Sequence, residues 1–137
     1  MFHALMSMSR VVQARTNSNK PSHALDDRRL QRVLQFVDEN LQSSIALKDL
    51  ASIASLSPFY FSRAFRRVTG SSPQRYVRQR RLEKAKELLA DGSASLADVA
   101  LTCNFSSQSS FTRAFTRAFG VAPGKYRERH GRSGKES

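Results

Sequence analysis

The sequence predicts an all-α protein in which two helix-turn-helix subdomains are joined by a long central linker helix. Three observations lead there. One pattern of about thirty residues is used twice, which marks a repeated supersecondary unit. Its copies read LKDLASIASLSPFYFSRAFRRVTGSSPQRY from Leu47 to Tyr76 and LADVALTCNFSSQSSFTRAFTRAFGVAPGKY from Leu96 to Tyr126. Apolar residues recur at three- and four-residue spacing, as on one face of a helix. No segment sustains the alternation with β-branched residues that a strand would need.

The copies register residue by residue. Leu47, Asp49 and Ala51 match Leu96, Asp98 and Ala100. After one extra residue in the second copy, Phe61, Arg63, Ala64, Phe65 and Arg67 match Phe111, Arg113, Ala114, Phe115 and Arg117. Gly70, Pro73 and Tyr76 then fall on Gly120, Pro123 and Tyr126.

Taken in order, residues 1–26 mix Ser, Asn, Arg and Gln without apolar periodicity and read as a flexible N-terminal arm. A contact with nucleic acid through Arg10 and Arg15 is its functional alternative. The first subdomain spans 27–72. Its first helix starts at Asp26 or Asp27 and carries the stripe Leu30, Val33, Leu34, Val37 and Leu41. A short helix over 47–54 turns Leu50, Ala51 and Ile53 inward. Ser57-Pro58 supplies an N-cap oxygen and a first-turn proline, and Gly70 stops that helix. Phe61, Phe65 and Val68 share its inner face.

Residues 73–91 form the linker helix. Ser72-Pro73 starts it, no Gly or Pro interrupts it, and Asp91-Gly92 ends it. Eighteen residues from Pro73 to Ala90 rise to roughly 27 Å. Tyr76, Val77, Arg80, Leu82, Ala85, Leu88 and Leu89 include its buried positions. The second subdomain spans 92–129, and 130–137 form a flexible tail. Ser95 and Asp98 make a capping-box-like opening for a short helix over 96–103. Ser106 or Ser107 caps the next helix, with Phe111, Phe115 and Phe119 inward, up to Gly120. Ala122-Pro123 opens the last helix, on which Tyr126 packs back.

The 137 residues hold 23 Lys and Arg against 11 Asp and Glu, a formal charge of +12. Distribution decides more than the total. No acid lies between Asp49 and Glu83, or between Asp98 and Glu128, while arginines crowd both windows. Such segregation builds a positive face suited to a polyanion. Cys103 is the sole cysteine, so a reducing compartment fits, and its repeat partner Ala54 marks it as a buried, inert thiol. No apolar run approaches the ~18 residues of a membrane span. A cytoplasmic, nucleoid-associated protein is expected. His3, His23 and His130 lack metal-ligand spacing, and no Gly-rich phosphate loop exists. No enzyme activity, cofactor or metal is expected.

A short helix, a turn and a longer helix with a basic outer face are the parts of a helix-turn-helix, whose second helix enters the major groove. Ala51 and Ala100 stand where the paired helices would cross. The outward residues suit base edges: Arg63 and Arg113 for guanine, Gln108 for adenine, Ser62, Ser109 and Ser110 as short donors and acceptors, and Phe59 for a thymine methyl. The competing reading is a solvated face, with both arginines paired to local acids. Two reading helices on one side of B-DNA need a separation near 34 Å. A rod of ~27 Å with the offset of each unit meets that need. One chain can then bind double-stranded DNA as a monomer, on an asymmetric site of about 20 base pairs.

These residues resemble the AraC/XylS family of bacterial transcription regulators, over residues 30–129. The second copy is the more specific, with its aromatic–Ser, Phe-x-Arg-x-Phe, Phe-Gly, Pro and Tyr-Arg positions. The resemblance implies a seven-helix DNA-binding unit. It places the reading residues at Phe59, Ser62, Arg63, Gln108, Ser109, Ser110 and Arg113. Arg66, Arg67, Arg117 and Lys125 would serve phosphates, and RNA polymerase would be a partner of an activator. Ser55 and Asn104 stand where the family often has Gly in the tight turn, which implies a strained or reshaped first turn. No sensor domain fits in the arm, so the chain resembles the short regulators of multiple-antibiotic-resistance and superoxide responses, and no small-molecule effector is expected. The alternatives are a nonspecific nucleic-acid or nucleoid binder, and a DNA-binding fragment of a larger ligand-sensing regulator. The initial Met and the arm favour a native start over the fragment.

Overall fold

The structure, a computed structural model, describes residues 24–131. Among them are seven helices and no strand: α1 Asp27–Glu39, α2 Leu47–Ile53, α3 Pro58–Thr69, α4 Pro73–Asp91, α5 Leu96–Thr102, α6 Gln108–Phe119 and α7 Pro123–His130. Arg10, Arg15, His3, His23 and most of the arm and tail lie outside the described residues. Packing reaches both edges of the described chain. Leu25, counted with the arm, is buried. It precedes the cap residue of α1, where an apolar side chain closes over the first turn. At the other end α7 continues through His130, whose ring centroid lies 4.3 Å from that of Tyr126.

Short polar side chains set the helix starts. The Asp26 carboxylate accepts from the Arg29 N–H at 2.9 Å, Ser57 Oγ from Tyr60 at 3.2 Å, and Ser72 Oγ from Arg75 at 3.2 Å. Ser95 Oγ accepts from Asp98 at 3.0 Å. Of the two serines before α6, Ser107 is the cap, accepting from Ser110 at 3.0 Å. Each such bond satisfies one orphan donor of a first turn. Before α2 the residue is Ala46, which has no oxygen to offer. There Asp49 reaches back instead and accepts from the Ala46 N–H at 3.2 Å. The two copies thus hold their short helices by opposite halves of one capping device.

The turn after each short helix is built alike. Ser55 donates to Ser52 O at 3.0 Å and Leu56 to Ala51 O at 2.9 Å; Asn104 donates to Leu101 O and Phe105 to Ala100 O, both at 2.9 Å. This paired bonding requires a left-handed residue just past the helix. Ser55 has φ 58° and Asn104 φ 61°. A side chain in that region costs about 1–2 kcal/mol, less for Asn than for Ser. Ser55→Gly is therefore expected to raise the unfolding free energy by about 0.5–1 kcal/mol, with a smaller gain for Asn104→Gly. Urea titrations of the two variants check the order.

The chain divides into two compact units. Of the described residues, 24–40 and 45–78 form the first, while 41–44 and 79–131 form the second. In the first unit α1 packs on α2 and α2 on α3. Leu30, Val33, Leu34 and Val37 of α1 are buried, as are Leu50 and Ala51 of α2. Phe61 and Phe65 are fully covered, 5.6 Å apart, and Phe65 meets Tyr76 edge-on at 5.7 Å. Ile53 and Val68, expected inward, are only half-buried.

In the second unit α5 packs on α6 and α6 on α7. Its core joins Leu82, Ala85 and Leu89 to Val99, Ala100, Cys103, Phe111 and Phe115. Phe115 is central: its ring lies 5.7 Å from Phe111, 4.7 Å from Phe119 and 5.7 Å from Tyr126. Cys103 is fully buried, at the end of α5 where the first copy has Ala54. Burial pushes its thiol up to about 11, against smaller opposing effects of Lys84 and Arg81. The raised value favours the folded state below the ordinary thiol range, and that contribution is lost as pH climbs from about 9 to about 11. Thiol reagents at neutral pH are expected to modify Cys103 only at the rate of unfolding. Absorbance of the released chromophore, with and without urea, measures it.

Two arginines hold the loops that lead into the short helices. Helix α1 stops at Asn40, whose side-chain amide donates to Phe36 O at 2.8 Å. Leu41, placed in the α1 stripe by its spacing, is buried past the helix end. Arg81 of α4 donates through Nε to Leu41 O at 3.1 Å and through Nη2 to Ser43 O at 2.6 Å. In the same way Arg127 of α7 donates to Leu89 O at 3.4 Å and to Ala94 O. A planar guanidinium offers several donors in a fixed fork, which suits two nearby carbonyls, in one loop for Arg81 and at the end of α4 and in the following loop for Arg127.

Candidate nucleic-acid interface

Sequence spacing and burial together turn one face of α3 outward. Phe61, Ala64 and Phe65 are buried, so the positions between them point away from the core. Phe59, Arg63, Arg66 and Arg67 are exposed and Ser62 is half-buried. Positions 59, 63, 66 and 67 follow helical spacing and form one face. On α6 the same inner set, Phe111, Ala114 and Phe115, leaves Ser109, Arg113, Thr116 and Arg117 exposed at equivalent places. Gln108 is exposed at the first turn and Ser110 half-buried, its Oγ accepting from Ser106 Oγ at 3.4 Å. Lys125 is exposed on α7 and lies 3.9 Å from Glu128, an exposed pair worth little.

The expected residues therefore fall into two sets. Phe59, Ser62, Arg63, Arg66 and Arg67 come together on α3. Gln108, Ser109, Ser110, Arg113 and Arg117 come together on α6, with Lys125 on the following helix. Superposing the copies adds two residues the sequence reading passed over. Thr112 stands at the place of Ser62, and Thr116 at the place of Arg66. Aligning the repeat position by position, beyond its matching residues, would have found both. Thr116 Oγ1 donates to Thr112 O at 2.7 Å, so its hydroxyl oxygen remains an acceptor towards the outside.

The charges are available. Among the described residues, neither Arg63 nor Arg113 makes an ion pair, and the same holds for Arg66, Arg67 and Arg117. The solvated-face reading, with both arginines paired to local acids, loses its acids. Arg63 instead lies over the ring of Phe59, its guanidinium carbon 5.5 Å from the centroid. Phe59 is 72% exposed, which is unusual for so large an apolar side chain. Arg81, counted in the basic window, is spent on backbone carbonyls and adds nothing to this face. Arg80 is buried. Among the described residues no cluster of His, Cys, Asp or Glu could hold a metal, and no helix is long and apolar enough to cross a membrane.

Comparison with known proteins agrees with this fold. A family model described as a helix-turn-helix domain matches residues 50–129. The chain is similar to a probable transcriptional regulator, LumQ, of Photobacterium leiognathi, with 40% identity over 100 residues. That match covers 72% of this chain and 40% of LumQ, so the chain spans well under half the length of that relative. Among solved structures, it is similar to an AraC-type transcriptional regulator from Chromobacterium violaceum, with a TM-score of 0.72 and 25% identity over 75% of this chain and 92% of that one. It is also similar to the DNA-binding domain of AdpA, solved in complex with a target DNA. There the TM-score is 0.68 and the identity 32%, over 73% of this chain and 90% of that one.

Proposed function

We propose a mode of action for a chain that belongs to the AraC-type family of helix-turn-helix, DNA-binding transcription regulators and is no enzyme. In this reading it binds a specific, asymmetric DNA site of about 20 base pairs as a monomer, placing α3 and α6 in two successive major-groove segments. The observation that carries it is the doubling: each reading helix presents an unpaired arginine, Arg63 or Arg113, at the same place on an outward face. Phe59, Ser62 and Arg63 read one segment; Gln108, Ser109, Ser110 and Arg113 read the other. Arg66, Arg67, Arg117 and Lys125 neutralise phosphates, positioning the units without reading sequence.

Two groove segments one helical turn apart lie on one face of the duplex. The opposite face stays open to RNA polymerase, which favours activation over occlusion. A charge of +12 supports a second reading, a nonspecific nucleoid binder held by counterion release.

Selection of bound sequences from a random DNA pool at near-physiological salt separates the two. The expected result is an asymmetric motif of two short boxes, centred about one helical turn apart. Enrichment of a single box would leave one unit gripping backbone only and overturn the two-segment reading. No enriched motif, with binding that fades steeply in salt, would establish the nonspecific binder. In-vitro transcription from a promoter carrying the selected site reads the sign.

A further inference from the structure

The two reading faces are not equivalent. Arg63 and Arg113 occupy matching positions, but one turn earlier the first copy has Phe59 and the second has Ser109. Only Arg63 therefore lies over an aromatic ring, its guanidinium carbon 5.5 Å from the centroid. The ring gains no cover from the core, being 72% exposed, so packing within the unit does not explain its presence. A guanidinium attracted to a ring face has fewer rotamers to lose when it docks. Its two parallel donors then meet guanine O6 and N7 in the plane of that base. Phe59 lies one helical turn before Arg63 and its ring is exposed, so it can reach the base pair next to the one that Arg63 meets. An apolar edge there is matched by a thymine, the base that carries a methyl group in the major groove.

We propose that Phe59 and Arg63 act as one composite reader of a thymine next to a guanine, and that the second unit, with Ser109, reads its guanine without a methyl requirement. The inference rests on the sequence-specific reading above and adds the identity of one base step and the coupling within it.

The test uses the full chain and its selected site, with single base analogues in place of thymine and guanine. Uracil removes the methyl and nothing else. At one thymine of the first box, beside a guanine, uracil is expected to weaken binding about fourfold, the worth of one buried methyl-sized group. With Phe59→Ala the same replacement is expected to have no effect. At that guanine, 7-deazaguanine removes the N7 acceptor, and its penalty is expected to shrink in Phe59→Ala although Arg63 is still present. Phe59→Leu keeps an apolar edge without a ring. It should retain the uracil penalty and lose the coupling to guanine, which a merely structural role for Phe59 would not produce. The position is exposed, so these variants are expected to keep the wild-type circular dichroism spectrum.

Uracil tolerated at every thymine of the first box, or an equal penalty in wild type and Phe59→Ala, would overturn the composite reader. Both results would leave a selected two-box motif intact. A failure to select any motif would instead sink the specific-regulator reading itself.

Discussion

Phe115→Ala is expected to lower the unfolding free energy by about 3–5 kcal/mol, the usual cost of emptying a fully buried aromatic site. The ring touches Phe111, Phe119 and Tyr126, and it is completely covered. Alanine would leave three aromatic neighbours facing a void that α6 and α7 cannot both close. Phe119→Ala, from a half-buried position capped by the Lys86 ammonium 4.5 Å from its ring centroid, should cost much less. Urea unfolding by circular dichroism gives the size of both changes, and amide exchange gives their place. Protection should be lost in residues 79–131 first. An unchanged midpoint for Phe115→Ala would mean that the second unit's core is centred elsewhere.

Arg63→Ala is expected to cost about 1–3 kcal/mol on the selected site and to relax preference at one base pair. Arg67→Ala should behave differently. In the proposed role its guanidinium neutralises a phosphate, so binding should weaken on all sequences alike, and the slope of log affinity against log salt should fall by about 0.9. Titrations of both variants on selected and scrambled duplexes, at several salt concentrations, distinguish the roles. Uniform loss for both variants would reduce Arg63 to a phosphate ligand and remove the case for sequence reading in the first unit.

Local features were legible in the sequence because their causes are local. Ser57, Ser72 and Ser95 cap helices, and Gly70, Gly92 and Gly120 end them with positive φ, as their chemistry dictates. The buried aromatics follow from spacing alone. The seven helices and the family came from matching motifs; the described residues hold seven helices, and the comparisons bear out the family. What spacing could not supply were contacts made far along the chain. Arg81 reads as one more positive charge in a basic window, yet it is tied to carbonyls 38 and 40 residues away. Leu41 continues a four-residue pattern but lies beyond a helix that Asn40 has already closed. The pairing of Arg63 with Phe59 was within reach of sequence spacing, since the residues are one turn apart. The absence of an acid to compete for Arg63 needed the packed units.

The hold of Arg81 on Leu41 and Ser43 has a consequence for the order of events on the ribosome. Residues 41–44 lie inside the stretch that encodes the first unit, yet they belong to the second. When α1, α2 and α3 have emerged, this segment still lacks the guanidinium that takes up two of its carbonyls. Chain synthesis runs at about 5–20 residues per second. The loop between α1 and α2 therefore waits a few seconds, hydrated, for a partner encoded some 40 residues downstream. A nascent chain stalled before Arg81 would carry α1 to α3 with that loop open. Release of the stall, not completion of the first unit, is what closes it.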